Sequence, residues 1–134
     1  MSRFMLDTNM VGFLVRGRPA VVDRAVAVSQ GTLCISAITR GEVAFGVSRR
    51  GPSIALKTAI TELWDRVDVL PWDAAVADCY GVLRANMERK GKPLSALDMM
   101  IAAHALAVGA VLVTNDSSFA AVDGLGLEDW TKVD

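Results

Sequence analysis

The chain has 134 residues, of which 52% are hydrophobic, and its mean hydropathy is +0.36. This length and composition exclude a disordered chain and are typical of one domain with its own hydrophobic core. The formal charge is −1, with 15 acidic and 14 basic residues, so the overall charge does not indicate a nucleic-acid-binding protein. The two cysteines, Cys34 and Cys79, lack the spacing of a metal site. We expect buried free thiols in a soluble, cytoplasmic protein with no membrane-spanning segment.

Short apolar segments predict strands, and apolar residues at helical spacing predict helices between them. The predicted strands lie at residues 4–6, 32–36, 67–70 and 110–114, and a short fifth strand is predicted within 126–130. The predicted helices lie at 9–15, 20–30, 38–49 and 53–65, then after Asp73 as far as Gly91, and after Ser95 as far as Gly109. Because apolar strands alternate with helices, we expect a mostly parallel sheet covered on both faces. The whole chain, residues 1–134, is therefore predicted to form a single three-layer α/β/α domain.

Four acidic residues fall where this topology would bring them to one edge of the sheet. Asp7 ends the first strand, Glu42 lies in the first turns of the helix after the second strand, and Asp116 follows the fourth. Asp98 begins the helix that precedes the fourth strand. That helix and that strand each span about 16 Å, at ~1.5 and ~3.3 Å per residue, so the helix start returns to the level of the strand end. We expect all four acids at the carboxyl edge, where open α/β sheets bind ligands.

The chemistry of this set indicates a divalent cation. Clustered carboxylates raise each other's pKa values unless they share a cation, and oxygen ligands suit Mg²⁺ or Mn²⁺. Such ions clamp phosphate oxygens and activate water for in-line attack. Thr8, Asn9, Thr114 and Asn115 add polar groups beside the acids that can orient water or contact phosphate. Each acid alone has an ordinary alternative as a turn, cap or surface residue, but those roles do not explain a shared edge.

The single histidine, His104, does not join this set. It lies six positions beyond Asp98, about 240° round a helix of ~3.6 residues per turn, which turns it away from that acid. We interpret it as a packing residue and not as a general base. The three tryptophans, Trp64, Trp72 and Trp130, are interpreted as core or interface residues.

With these residues in place, the chain resembles the PIN-domain family, and specifically the VapC-type toxins of type II toxin–antitoxin pairs. The resemblance rests on segments in one order: MLDTN at 5–9, ISAITRGE at 35–42, LDMMIAAHA at 97–105, LVTND at 112–116, and the ending at 119–130. It implies a five-stranded parallel sheet in the order 3-2-1-4-5, flanked by helices. It also implies an endoribonuclease dependent on Mg²⁺ or Mn²⁺, with Asp7, Glu42, Asp98 and Asp116 as its acidic quartet.

The resemblance further implies partners. Such toxins act on RNA, form homodimers, and are silenced by an antitoxin protein whose tail lies in or near the active-site groove. The chain departs from the family pattern at one point: many relatives have Asn at the position of Asp116, or a further acid where this chain has Ser118.

Two other classes of protein remain as alternatives. One is a non-catalytic PIN-like module that binds RNA or protein, whose expected signature is the loss of one or more acids; none of the four is missing here. The other is a phospho-acceptor receiver domain, which should carry an acidic pair near the first strand and a lysine near the last. This chain has only Asp7 at the first strand and Lys132 near its end.

Overall fold

Five parallel strands form the centre of the protein in a computed structural model that describes residues 2–29, 31–51, 53–92 and 94–132. The strands are β1 (Phe4–Leu6), β2 (Leu33–Ser36), β3 (Asp68–Leu70), β4 (Val111–Val113) and β5 (Leu127–Glu128). They pair in the order β3-β2-β1-β4-β5, which confirms the predicted sheet. The fifth strand is short and lies within residues 126–130, as predicted. Only two of its residues pair with β4, and Asp129 then turns the chain by accepting the backbone N–H of Thr131.

Helices connect the strands and begin at recognisable caps. They are α1 (Thr8–Val15), α2 (Pro19–Ala27), α3 (Ala37–Arg50), α4 (Ile54–Arg66), α5 (Ala74–Lys90) and α6 (Ala96–Val108), with a 3₁₀ helix at Ser117–Ala121. Five of the α-helices follow a side chain that accepts a backbone N–H of the first turn: Asp7, Ser36, Ser53, Asp73 and Ser95. The helix predicted at 20–30 ends earlier, at Ala27, and its predicted last residue, Gln30, lies outside the described residues.

The two faces of the sheet are covered by different helices, because neighbouring residues of a strand point to opposite faces. One core joins α5 and α6 to one face of the sheet, through Met5, Cys34 and Leu112. The other core joins α1, α2 and α4 to the opposite face, through Leu6, Ile35 and Val113. The predicted three-layer sandwich is therefore confirmed. Trp130 is fully buried in the second core and packs against Phe4, which holds the C-terminal segment to the sheet.

The turn between α6 and β4 sets the level of the α6 N-terminus. Gly109 ends α6 in the left-handed conformation, with φ of +68°, and the next residue already leads into β4. Since α6 runs back along the sheet, its first turn lies at the edge where the parallel strands end.

Two smaller expectations are decided by the fold. Both cysteines are free, as predicted, but only Cys34 is buried; Cys79 is half-buried because it lies on α5 at the margin of the first core. Within the described ranges, no helix is both long enough and apolar enough to cross a membrane.

Candidate active site

Asp7 is the most buried acid at the carboxyl edge of the sheet. It lies between β1 and α1, is 5% exposed, and its Oδ1 accepts the backbone N–H of Met10 over 2.9 Å. Burial raises the pKa of Asp7 above its ordinary value, while hydrogen bonds from Thr114 and Met10 act in the opposite direction. The charges of Asp98 and Asp116 raise the pKa further. A buried carboxyl perturbed by two other acids at a ligand-binding edge is a typical functional group.

Asp98 and Asp116 come to this edge from the segments before and after β4 in the chain. Asp98 lies in the first turn of α6, where burial raises its pKa, a hydrogen bond with Ser95 lowers it, and the charge of Asp116 raises it. Asp116 follows β4 and caps the 3₁₀ helix, because its Oδ1 accepts the backbone N–H of Ser118 over 2.9 Å. Its own N–H donates to Thr114 Oγ1 over 3.0 Å. The structure thus places Asp7, Asp98 and Asp116 at one edge, where the charges of Asp98 and Asp116 raise the pKa of Asp7.

Glu42 arrives at the same edge from α3 and is held by a different contact. The hydroxyl of Thr8 donates to Glu42 Oε1 over 2.7 Å. Because Thr8 follows Asp7 directly, this bond places Glu42 beside the residue that is most buried in the site. The acids that perturb Asp7 are nevertheless Asp98 and Asp116, so Glu42 is the peripheral member of the quartet.

The four predicted supporting residues divide into two pairs. Thr8 and Thr114 are structural parts of the site, since each bonds to an acid of the quartet or to its backbone. Asn9 and Asn115 are exposed at the same edge, beside these threonines.

One contact near the site is absent from the sequence analysis. His104 Nδ1 lies 2.7 Å from Ser36 Oγ, and both residues are fully buried. The residue is thus buried in the core, as the helical spacing predicts, but it also bonds to the cap of α3. A lone histidine on an apolar helix and a serine ending an apolar strand are the two sequence features that point to such a contact, and 68 residues separate them.

The donor set suits a hard cation, although its oxygens are not gathered into a ligand cluster. Across the described part of the chain, no three His, Cys, Asp or Glu side chains stand close enough together to hold a metal ion. The groups that meet at the edge are all oxygen donors, which Mg²⁺ and Mn²⁺ prefer. Burial and the negative charge of neighbouring acids raise the pKa values of Asp7 and Asp98, and a cation would relieve this cost. The chemistry of these donors therefore fits such an ion.

Comparison with known proteins identifies the class to which this fold and edge belong. The model of the family described as PIN domain matches residues 4–125. The chain is 39% identical to the tRNA(fMet)-specific endonuclease VapC of Shigella flexneri, over 98% of this chain and 100% of that relative. It is 35% identical to ribonuclease VapC1 of Haemophilus influenzae strain R2866, over 96% and 98% of the two chains. The chain therefore belongs to the PIN-domain family and, within it, to the VapC group.

Solved structures agree with this assignment. VapBC2 of Rickettsia felis, bound to a DNA fragment from its promoter, superposes with a TM-score of 0.88 at 29% identity, covering 95% of this chain and 98% of the other. DNA-bound VapBC of Salmonella typhimurium superposes with a TM-score of 0.85 at 35% identity, covering 97% and 99%. The likeness therefore extends over nearly the whole chain.

Proposed function

We propose that this protein is the toxin of a type II toxin–antitoxin pair and acts as an endoribonuclease that requires Mg²⁺ or Mn²⁺. The observation that carries the proposal is the placement of Asp7, Asp98 and Asp116 at the carboxyl edge of the sheet, where the charges of the other two acids raise the pKa of Asp7. Two VapC relatives are named as an endonuclease and a ribonuclease, and the similarity covers nearly their full length. These names support the reaction type.

The proposal gives each acid a role. Asp7, Asp98 and Glu42 would hold the ion directly or through water, and Asp116 would complete the site or orient the attacking water. A bound Mg²⁺ or Mn²⁺ supplies a nucleophile at neutral pH and neutralises the charge that develops on the phosphate oxygens. Hydrolysis would leave 5′-phosphate and 3′-hydroxyl ends, with no covalent enzyme intermediate, because the quartet holds no activated Ser, Cys or His nucleophile.

The polar residues of the edge would hold these acids and contact the RNA. Thr8 fixes Glu42 by its 2.7 Å hydrogen bond, and Thr114 Oγ1 accepts the backbone N–H of Asp116. Asn9 and Asn115 are exposed at the same edge, which suits contacts with the phosphates of a bound strand. Because a buried carboxylate cannot turn freely, these bonds also limit where a scissile phosphate can lie.

The names of the relatives suggest a substrate and a partner to test. Two VapC relatives, at 39% and 34% identity, are named as tRNA(fMet)-specific, so initiator transfer RNA is the first substrate to test. The solved neighbours from Rickettsia felis, Salmonella typhimurium and Haemophilus influenzae are VapBC assemblies, which supports a cognate antitoxin as partner. We further propose that the toxin is a homodimer.

The activity test compares wild type with two matched substitutions. Asp98→Asn removes a charge from the site, and Asp78→Asn removes a charge from the exposed face of α5. Purified, antitoxin-free proteins are incubated with initiator transfer RNA and with total RNA, in Mg²⁺, in Mn²⁺ or in EDTA, and the cleaved ends are mapped. We expect wild type and Asp78→Asn to cut with either metal, EDTA to stop cleavage, and Asp98→Asn to lose at least ~100-fold in rate.

The same variants separate catalysis from binding in cells. Growth arrest by wild type and by Asp78→Asn, but not by Asp98→Asn, would support the nuclease. Arrest by all three, together with no cleavage of any RNA in either metal, would refute it and favour the non-catalytic PIN-like module that binds RNA or protein.

A further inference from the structure

A buried hydrogen bond joins the two helices that carry Glu42 and Asp98. His104 on α6 places its Nδ1 2.7 Å from the Oγ of Ser36, which ends β2 immediately before α3. Both side chains are fully buried, so water does not compete for the bond. Glu42 lies six residues beyond Ser36 on α3, and Asp98 lies six residues before His104 on α6. At ~1.5 Å per residue, His104 therefore lies about 9 Å from Asp98 along α6, and Ser36 lies about 9 Å from Glu42 along the axis of α3.

Ser36 transmits the position of His104 to α3 because it is also the cap of that helix. Its Oγ accepts the backbone N–H of Ile38 over 3.1 Å. A cap fixes the direction in which the first turn leaves the strand, and Glu42 is carried by the second turn. Glu42 in turn accepts the hydroxyl proton of Thr8, the residue next to Asp7. A chain of contacts thus runs from α6 through Ser36 and α3 to Glu42 and back to α1.

The hydrogen bonds indicate one tautomer of His104. If Nδ1 carried the proton, the Ser36 hydroxyl would have no acceptor among the described residues, and Nε2 would also lack a partner. If instead the Ser36 hydroxyl donates to Nδ1, the Nε2 proton is the single group of this pair that lacks a hydrogen-bond partner among the described residues. The second arrangement leaves fewer buried polar groups unsatisfied, so it is favoured. Burial lowers the pKa of His104, which keeps the ring neutral and able to accept this proton.

We propose that His104 is a positioning residue which, by accepting a hydrogen bond from Ser36, fixes Glu42 relative to Asp98 for the reaction. The inference rests on the proposed nuclease function, but the placement of Glu42 can also be measured without activity. It assigns a role in the reaction to a residue that lies in the core and touches neither RNA nor metal. Displacement of a reacting group by about 1 Å, caused from a distance, can cost about 100-fold in rate.

The test uses two substitutions at His104 whose effects on stability and on rate have opposite order. His104→Leu keeps most of the volume of the ring and is apolar, so it removes the bond with little loss of packing. His104→Asn keeps a polar atom near the position of Nδ1 but leaves a cavity and a buried amide, so it is the less stable of the two. If His104 positions Glu42, the more stable Leu variant is the slower enzyme. If His104 only fills space, the rate follows stability.

Ser36→Ala and Ser53→Ala provide the second pair. Each removes the cap of one helix, α3 or α4, but only Ser36 bonds to His104. We expect kcat to fall on the order of 10- to 100-fold in His104→Leu and in Ser36→Ala, with KM changed less than about 2-fold. The double variant Ser36→Ala/His104→Leu should be no slower than the slower of the two single variants. His104→Asn should recover most of the rate, and Ser53→Ala should match wild type.

Equal kcat in wild type and His104→Leu would overturn the inference while leaving the nuclease assignment intact. The inference can also be tested if the nuclease assignment itself fails. Because the chain has one histidine, ¹⁵N NMR of the imidazole reports directly on the Ser36 bond, and amide shifts report on Thr8 and Glu42. We expect Nδ1 to be an unprotonated acceptor, and the Thr8 and Glu42 amide signals to move in His104→Leu and to return in His104→Asn. Unchanged Thr8 and Glu42 signals in His104→Leu would overturn the inference even if no RNA were cleaved.

Discussion

The substitution Asp7→Asn should stabilise the protein at neutral pH while abolishing its proposed activity. Burial and the charges of Asp98 and Asp116 raise the pKa of Asp7 above the ordinary value of 3.8, so ionisation of Asp7 costs the folded state free energy. Asn is as good a helix cap as Asp, so the 2.9 Å bond from the Met10 N–H can be kept. The substitution therefore removes a charge penalty without removing the cap.

The expected change in Tm follows from this free energy and from the length of the chain. Relief of one such penalty is worth about 1 kcal/mol, within the usual range for a single stabilising change. Unfolding entropy of ~2.1 cal/mol/K per residue gives 134 residues ~0.28 kcal/mol/K at the melting temperature, so the expected rise in Tm is about 3 to 4 °C. Asp7→Ala also removes the charge but loses the cap, which costs about 1 kcal/mol, so its Tm at neutral pH should be close to that of wild type.

The pH dependence of the effect provides the test. A folded-state pKa above 3.8 means that wild type loses stability as the pH rises through that folded pKa, and that both states are protonated well below 3.8. Differential scanning calorimetry at pH 7 and at pH 3 should therefore show a gain for Asp7→Asn at pH 7 that disappears at pH 3. A variant that is less stable than wild type at pH 7, or a gain of equal size at both pH values, would refute this explanation.

Three further predictions concern the core, the thiols and one turn. Trp130→Ala should lower the free energy of unfolding by about 3–5 kcal/mol in chemical denaturation, because a fully buried indole packed against Phe4 leaves a cavity; a loss under about 1 kcal/mol would contradict its place in the core. Burial raises the pKa of Cys34 to about 11, so at pH 8 a thiol reagent should modify Cys79 first and Cys34 only after unfolding; equal rates for the two thiols would be inconsistent with this. Gly109→Ala should cost about 1–2 kcal/mol, because an L side chain is disfavoured in the left-handed turn at φ +68°; an unchanged Tm would show that the turn can adopt another conformation.

The layers of the fold and the convergence of three acids could be predicted from local sequence. Strands β1, β2 and β4 are apolar on both faces, as in the neighbouring residues Met5 and Leu6, which is typical of a parallel sheet between two helical layers. Once the strands are parallel, a residue within three positions of a strand's end must lie near the carboxyl edge, which places Asp7 and Asp116. Equal lengths of α6 and β4 then bring Asp98 to the same level.

Local sequence was insufficient where the outcome depends on pairing with distant parts of the chain. The sequence predicts a short strand within 126–130, but its length is set by how many residues find partners on β4, and only two do. The half-buried position of Cys79 depends on how α5 packs against the first core.

The sequence by itself determined which residues reach the carboxyl edge of the sheet, because strand ends and helix starts follow from apolar periodicity and cap residues within a few positions. Only the tertiary structure decided how those residues are held there. The contact of Thr8 with Glu42 spans 34 residues and that of Ser36 with His104 spans 68. Such bonds depend on the distance and tilt at which whole helices pack, because a hydrogen bond forms only when its two atoms come within about 3 Å. That geometry is a property of the assembled cores and is not encoded in any one segment.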